Sequence, residues 1–413
     1  MMSKAENDRL CRIGPDTPMG KVFRRFWNPI CTSAELPHPD CAPIAAKHLG
    51  QDLVVFRNSE GKVGVLDEYC MHRGASLALG RVEDCGIRCI YHGWKFAVDG
   101  TIQEIMNNND PRLKARMKAK AYPVHEAAGL IWTYLGDPTI QPELPRYKFL
   151  DYADVVVQRI DTNVNWVQAA EGGLDSSHVS VLHSNASRPG WSGATTETVG
   201  AWADTAPTYE IEDTTFGYHY AAFRKGSGDK PDNVRVVPFA MPSCRIIPDI
   251  TGNGNATWVF EIPIDDENTS TFFVRYGPYP LPADEHWKNT GFDDPEFYSF
   301  ATHRFLFSRK MFSKQKRHQM DKLWTGFRGV ALEDAVITTS MGPIYDRSQE
   351  HLIGSDIAVV RFRRRLLESV NLVEQGQEPI GFGADYSKVT AIDAPMPKAE
   401  HWRMLVPEHE VVA

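Results

Sequence analysis

Asp175, His178 and His183 stand in the spacing D-x-x-H-x4-H within the stretch NWVQAAEGGLDSSHVSVLHS, residues 165–184. Two neutral imidazoles and one carboxylate can hold Fe(II) on one face and leave its other positions open, where dioxygen and a substrate can meet. Asp175 and His178 would be i,i+3 neighbours on a helix. His178 and His183, five apart, would point roughly 140° apart at 3.6 residues per turn. Both imidazoles can reach one metal only if the helix ends or bulges near Ser180. A histidine pair at this spacing is by itself more often a satisfied surface or core pair, and what strengthens it lies upstream.

Cys70-Met-His72 and Cys89-Ile-Tyr-His92 have sixteen residues between them. Two thiolates and two imidazoles on two matched loops suit a Rieske [2Fe–2S] cluster, with Cys70 and Cys89 on one iron and His72 and His92 on the other. The same four residue types could hold tetrahedral zinc. C-x-H paired with C-x-x-H, the second followed by Gly93-Trp94, is the Rieske pattern and not a common finger spacing. Cys85 reads as a loop residue, and Cys11, Cys31, Cys41 and Cys244 as buried thiols.

The elements that must position these residues follow from length and pattern. A chain of 413 residues with 42% hydrophobic and 24% charged residues is globular and long enough for two domains. A net charge of −8 argues against a nucleic-acid partner. No apolar run suggests a signal peptide or a membrane span, and seven unpaired-looking cysteines make no disulfide framework, so the cytoplasm is expected. Residues 8–31 combine a Pro/Gly turn with a short helix. Strands are expected at Leu53–Phe56 and Val63–Asp67 around an Asn58–Lys62 turn, then at Tyr122–His125 and Leu130–Tyr134. The run from Gly136 to Pro145 reads as a linker.

Beyond it, Val155–Thr162 leads into the central helix. Six further β-rich runs between Thr208 and Tyr276 suggest an antiparallel meander. In Phe216–Phe223 alternation turns Tyr218 and Tyr220 to one face and His219 to the other, which makes His219 structural. Helix is expected from Asp284 through Leu323, then at Leu332–Ser340 and Ser355–Val370. The basic run from Arg309 to His318 reads as a solvated helix face, or a docking patch for an acidic electron donor. No G-x-G-x-x-G follows an expected strand, so electrons would come from a separate protein.

The chain resembles the oxygenase components of Rieske non-haem iron ring-hydroxylating systems, in particular the phthalate dioxygenase and vanillate demethylase group. The segments that carry the likeness are TPMGKVFRRFW, the two Cys/His loops, EGxxDxxHxxxxH, the ED pair at 333–334, DRSQEHLIGSD and RRRLL. The resemblance implies an α+β chain: an N-terminal all-β Rieske [2Fe–2S] domain with a helical leader (1–148), then a helix-grip catalytic domain of antiparallel sheet and helices (149–413). It implies that Asp334 completes a mononuclear Fe(II) site with His178 and His183. Glu333, turned about 100° from it on a helix, cannot easily swap roles. It implies that Asp175 bridges this site to a cluster histidine of a neighbouring subunit, within a homotrimer or stacked trimers. Electrons from NAD(P)H would arrive through a separate reductase carrying flavin and an iron–sulfur centre, and oxygen from O2 would enter an aromatic substrate by dihydroxylation. O- or N-demethylation is the alternative. A phthalate-like carboxylate needs a cationic partner, and Arg224, Arg235 and Arg245 are available. Arg245 is favoured because it lies in an otherwise apolar strand; Arg224 comes second, and Ser184 could add a hydrogen bond.

Overall fold

A computed structural model of the chain describes residues 2–184, 204–226, 229, 231–248, 254–279, 282–311, 320, 323–396 and 401–412. The chain divides into two units: Gly14–Asp16 with Phe23–Leu144, and Met1–Ile13 with Thr17–Val22 and Pro145–Ala413. Of the leader expected with the first domain, residues 1–13 and 17–22 cluster with the second unit, while Gly14–Asp16 and the residues from Phe23 stay with the first. The reason is polar as well as apolar. Helix α1 (Lys4–Cys11), opened by a Ser3–Glu6 capping box, receives a hydrogen bond from Arg347 Nη1 on Asn7 Oδ1 at 3.0 Å. Asn7 Nδ2 donates to the Tyr345 carbonyl at 3.1 Å, and Arg9 reaches Glu374 at 2.6 Å.

The smaller unit is built from three small antiparallel sheets. Gln51–Arg57 and Val63–Asp67 pair around a turn in which Asn58 Oδ1 accepts the N–H groups of Glu60 and Lys62 at 3.0 and 2.9 Å. Asn58 thereby satisfies backbone donors that a two-strand reversal leaves unpaired. A second hairpin, Gly86–Arg88 against Lys95–Phe96, carries Cys89 to Trp94 at its tip. Phe56, Leu66, Ile87 and Phe96 form the core under both Cys/His loops.

In the larger unit β1 (Val156–Thr162) leads to helix α2 (Trp166–Leu174). Then follow β2 (Thr208–Thr214), β3 (Gly217–Arg224), β4 (Asn233–Ala240), β5 (Cys244–Pro248), β6 (Ala256–Pro263) and β7 (Thr269–Tyr276). They form an antiparallel meander in the order β2-β3-β4-β5-β6-β7-β1, and Ile392–Pro395 pairs with β4. Helices α3 (Val330–Ser340) and α4 (Ile357–Glu374) complete the frame. β3 is buried on both faces: Tyr218 donates to the Ala358 carbonyl of α4 at 3.0 Å, while His219 lies beneath Trp402 and His409.

The expected helix from Asp284 is cut short. It spans Ala283–Thr290 and stops at Gly291, whose φ of 86° is the left-handed C-terminal signal. Tyr298–Ser299 and Arg304–Phe305 then form a small hairpin over an aromatic core with Phe292, Phe297, Phe307 and Phe327. Aromatic density outweighed helical spacing here. Of the basic run, Arg309 and Lys310 are exposed on a short turn, and 312–318 lies outside the described residues.

Candidate active site

Each Cys/His loop closes on itself in the same way. Cys70 donates its N–H to Ala75 and receives that of Gly74, both at 2.8 Å; Cys89 donates to Trp94 at 2.8 Å and receives Gly93 at 3.0 Å. Gly74 and Gly93 have φ of 71° and 73°, a conformation that glycine adopts without a Cβ clash. The loops thus present Cys70 with His72 and Cys89 with His92. The two thiols lie within hydrogen-bond reach of each other, and the two imidazole rings pack edge to face at 4.5 Å. His72 stacks on Trp94 at 4.9 Å, and Trp94 is fixed by Asn107 at 3.0 Å.

Thiols meet thiols and imidazoles meet imidazoles. A tetrahedral zinc would instead draw all four donors about one point. Among the described residues these four make no group whose donor atoms all lie within 4.8 Å of one another. His92 Nδ1 is buried with no hydrogen-bond partner, as befits a nitrogen reserved for a metal. Burial pushes the Cys70 thiol up to about 11, a cost that binding as thiolate to iron would offset. The donor set fits a two-iron cluster with a sulfur end and a nitrogen end.

The second site is assembled from distant parts of the chain. α2 begins at Asn165, whose side chain caps the Val167 N–H at 3.1 Å, and buries Trp166, Val167, Ala170 and Leu174. It ends at Leu174, earlier than expected, because Asp175 turns extended and caps the next turn. Asp175 Oδ1 accepts the Ser177 N–H and hydroxyl at 2.8 Å, and Oδ2 accepts the His178 N–H at 3.1 Å. A 3-10 turn over His178–Ser180 then brings His183 round. The glycines of α2 permit close packing: a Cβ on Gly172 would lie 3.3 Å from Thr338 of α3, and one on Gly173 1.9 Å from the Arg245 guanidinium. Glu171, held by Arg347 at 2.8 Å and Arg363 at 2.6 Å, anchors the same helix.

Nε2 of His178 and of His183 are 3.2 Å apart, and Asp334 Oδ1 lies 3.5 Å from the first and 3.1 Å from the second. Among the described residues these are the one group of three such side chains with donor atoms all within 4.8 Å. The opposite nitrogens each face a carboxylate. His178 Nδ1 is 3.3 Å from Asp175 Oδ2, and His183 Nδ1 is 2.7 Å from Glu333 Oε2. Burial opposes charge on His183, but Asp334 and Glu333 outweigh it and lift the imidazole to about 9. Burial also opposes charge on Asp334, which the two imidazoles hold well below the usual carboxylate range. The carboxylates therefore favour positive charge on the imidazoles beside them. Two imidazoles and a carboxylate with open positions fit non-haem Fe(II).

Of the arginines, Arg245 is already paired with buried Glu261 across β5 and β6. Its charge is neutralised inside the sheet, so it is not the free cation that the sequence suggested. Arg235 pairs with Asp393 at 2.8 Å. Arg224, 1% exposed, has no carboxylate partner among the described residues: it donates to the Ser176 carbonyl, to Ser176 Oγ at 3.0 Å and to Ser180 Oγ at 3.3 Å, and Nη1 is unpartnered. Ser184 follows His183 with its N–H on the Val181 carbonyl at 3.3 Å. Glu333 and Ser176 were missed from sequence; the only signals were the adjacency of Glu333 to Asp334 and of Ser176 to Asp175.

A two-iron cluster site in one unit and a two-histidine, one-carboxylate site in the other define a class: oxygenases that pair a Rieske cluster with a mononuclear non-haem iron. Residues 26–123 match the Rieske [2Fe-2S] domain family, and residues 133–413 the family described as LigXa C-terminal domain like. The chain is 35% identical to the phthalate 4,5-dioxygenase oxygenase subunit of Pseudomonas putida, over 98% of this chain and 94% of that one. It is 28% identical to the 5,5'-dehydrodivanillate O-demethylase oxygenase subunit of a Sphingobium strain, covering 96% and 87%. The fold is shared with an oxygenase solved in an oxygenase–ferredoxin complex of carbazole 1,9a-dioxygenase, at 20% identity and a TM-score of 0.59, covering 92% of this chain and 96% of that one. The chain belongs to the Rieske non-haem iron oxygenases, as a terminal oxygenase component with a Rieske [2Fe–2S] cluster and a mononuclear non-haem iron as cofactors. Among the described residues no helix is long and apolar enough to cross a membrane.

Proposed function

We propose that the chain inserts oxygen from O2 into an aromatic carboxylate of the phthalate kind by dihydroxylation, with electrons from NAD(P)H delivered by a separate reductase. The observation that carries the substrate class is Arg224: a buried guanidinium with no carboxylate bonded to it among the described residues, attached to the loop that holds Asp175 and His178. Unpaired buried charge is costly, and a substrate carboxylate on Nη1 would relieve that cost. Arg224 takes precedence over Arg245 for this reason, with Ser176 and Ser180 beside it. The likeness to a phthalate 4,5-dioxygenase supports the same class.

Cys70, His72, Cys89 and His92 hold the cluster; His178, His183 and Asp334 hold the iron. When bound, the cluster supplies electrons singly and the iron supplies O2 activation. The protein's own part is placement. Asp175 accepts the Nδ1 proton of His178, which leaves Nε2 for the metal. Its side chain is 21% exposed, so an imidazole of a neighbouring subunit can reach the same carboxylate. That arrangement calls for a homotrimer, and Met71, Ile90 and Tyr91, exposed on the cluster loops, offer apolar surface for it. The carbazole 1,9a-dioxygenase complex supports an iron–sulfur protein as the immediate electron donor. Seven free cysteines suit a reducing cytoplasm.

Single-turnover oxygen uptake by the reduced protein, with aromatic acids, their amides and methyl ethers, tests this reading. A diol from an acid substrate is expected. Formaldehyde with an unchanged ring would establish the second reading, O-demethylation, which the dehydrodivanillate relative favours. Two irons per chain and no uptake with any substrate would indicate an electron carrier only.

A further inference from the structure

We propose that Glu333 is the positioning residue of His183, and that Thr325 holds Glu333 in that task. The inference rests on the reading of His183 as a metal ligand. An imidazole that binds metal through Nε2 carries its proton on Nδ1, and the partner of that proton fixes both tautomer and ring orientation. His183 turns Nε2 to Asp334 Oδ1 at 3.1 Å and Nδ1 to Glu333 Oε2 at 2.7 Å. Neighbouring residues of one helix thus grip opposite edges of one ring. A carboxylate can only accept, so the contact leaves His183 a single usable tautomer.

The second oxygen of Glu333 is engaged as well. Thr325 Oγ1 donates to Oε1 at 2.5 Å and itself accepts the Phe327 N–H at 3.1 Å. Glu333 is 4% exposed, and among the described residues no lysine or arginine pairs with it. A buried carboxylate without a cation is expensive unless a positive charge stands behind its hydrogen-bond partner. A dication on Nε2 of His183 supplies that charge.

The counterpart at His178 is different. Asp175 lies 3.3 Å from His178 Nδ1, is partly exposed, and shares its oxygens with Ser177 and the His178 backbone. Glu333 is closer and buried, and among the described residues its side chain is engaged only by His183 and Thr325. The two carboxylates therefore divide the work: Glu333 governs retention of the metal, and Asp175 serves the open side.

The test is chelator competition on the Fe(II)-loaded full-length protein. Glu333→Gln should weaken metal affinity about 10- to 100-fold, the range for such partners. Cluster absorbance should stay near wild type. Thr325→Val should lose affinity in the same direction by less, and Thr325→Ser should restore it. With Co(II) in place of iron, the visible bands should shift in Glu333→Gln and not in Thr325→Ser. Wild-type affinity in a folded Glu333→Gln protein overturns the proposal, as does an equal loss in Thr325→Ser and Thr325→Val. Wild-type affinity in His183→Ala would instead overturn the ligand reading beneath it.

Discussion

Cys70 and Cys89 sit on two loops that repeat the same backbone closure, whereas the imidazole of His183 meets a helix about 150 residues further along the chain. In the cluster unit each ligand pair is placed by hydrogen bonds within a span of six residues. In the catalytic unit a turn, a helix and two buried ion networks must all dock before three donor atoms face each other. A local site depends on few other elements and tolerates change elsewhere; an assembled site inherits the packing of everything that supports it. Substitutions should separate the two.

The largest effects are complete and opposite. Cys89→Ser should abolish the Rieske absorbance and EPR signal while the mononuclear site still takes up metal. His183→Ala should empty the mononuclear site and leave the cluster spectrum intact. Loss of both centres in either variant, measured by iron content and EPR, would mean that the two sites are not built independently. Asp175→Asn should keep both centres filled yet slow reoxidation of the reduced cluster by orders of magnitude, because an amide cannot accept protons on both of its polar atoms. A wild-type rate in stopped-flow would remove Asp175 from the route between sites.

The same contrast explains what the sequence disclosed. The two Cys/His loops are legible because their geometry is local: two cysteines, two histidines and the glycines that close each loop all lie within 25 residues, 70–94. The meander was readable from strand periodicity. The mononuclear triad needed the family likeness to select Asp334, since nothing local links it to His183. The end of α2 was placed too late because helical spacing ignored the competing role of Asp175 as a cap. The pairing of Arg245 with Glu261 is not legible in the sequence, because the two meet across a strand pair whose register appears only in the folded sheet. The adjacency of Glu333 to Asp334 does not disclose that the two carboxylates reach opposite edges of His183.

Two predictions probe the assembled site more finely. Arg224→Met should raise KM for an acid substrate about 10- to 100-fold, the value of a hydrogen bond to a charged group, and change KM for its amide or ester far less. Equal changes for all three would assign Arg224 to holding the Ser176–Ser180 loop alone. Gly173→Ala pushes a methyl into the Arg245 guanidinium, so overpacking should cost about 1–3 kcal/mol and loosen Asp175 behind it. Thermal unfolding and metal retention should both drop, with the cluster spectrum unchanged. An unaltered Tm would show that α2 and β5 can separate freely.

The most gradual effect concerns pH and again belongs to the catalytic unit alone. The C-terminal segment is latched to β3 through a chain of fixed protons. His409 Nε2 accepts the Thr390 N–H at 3.0 Å, so a neutral His409 carries its proton on Nδ1 and donates it to His219 Nδ1 at 2.8 Å. His219 Nε2 then donates to Glu212 at 2.9 Å, and Arg403 Nε stands 3.2 Å from the same carboxylate. Any added proton must break one of these bonds. Burial, with His219 and Arg403, pushes His409 down from 6.5 to about 3, and burial also lowers His219 against the pull of Glu212. Both folded values lie below the unfolded one, so the unfolded chain binds more protons as pH falls below 6.5. These two sites should therefore leave stability unchanged above that pH and lower it below, by up to about 1.4 kcal/mol per pH unit for each site. His409→Gln can still accept from Thr390 and donate to His219 but cannot titrate, so it should flatten the decline. An unchanged slope in His409→Gln, read from Tm against pH with cluster absorbance as the control, would place the acid sensitivity elsewhere.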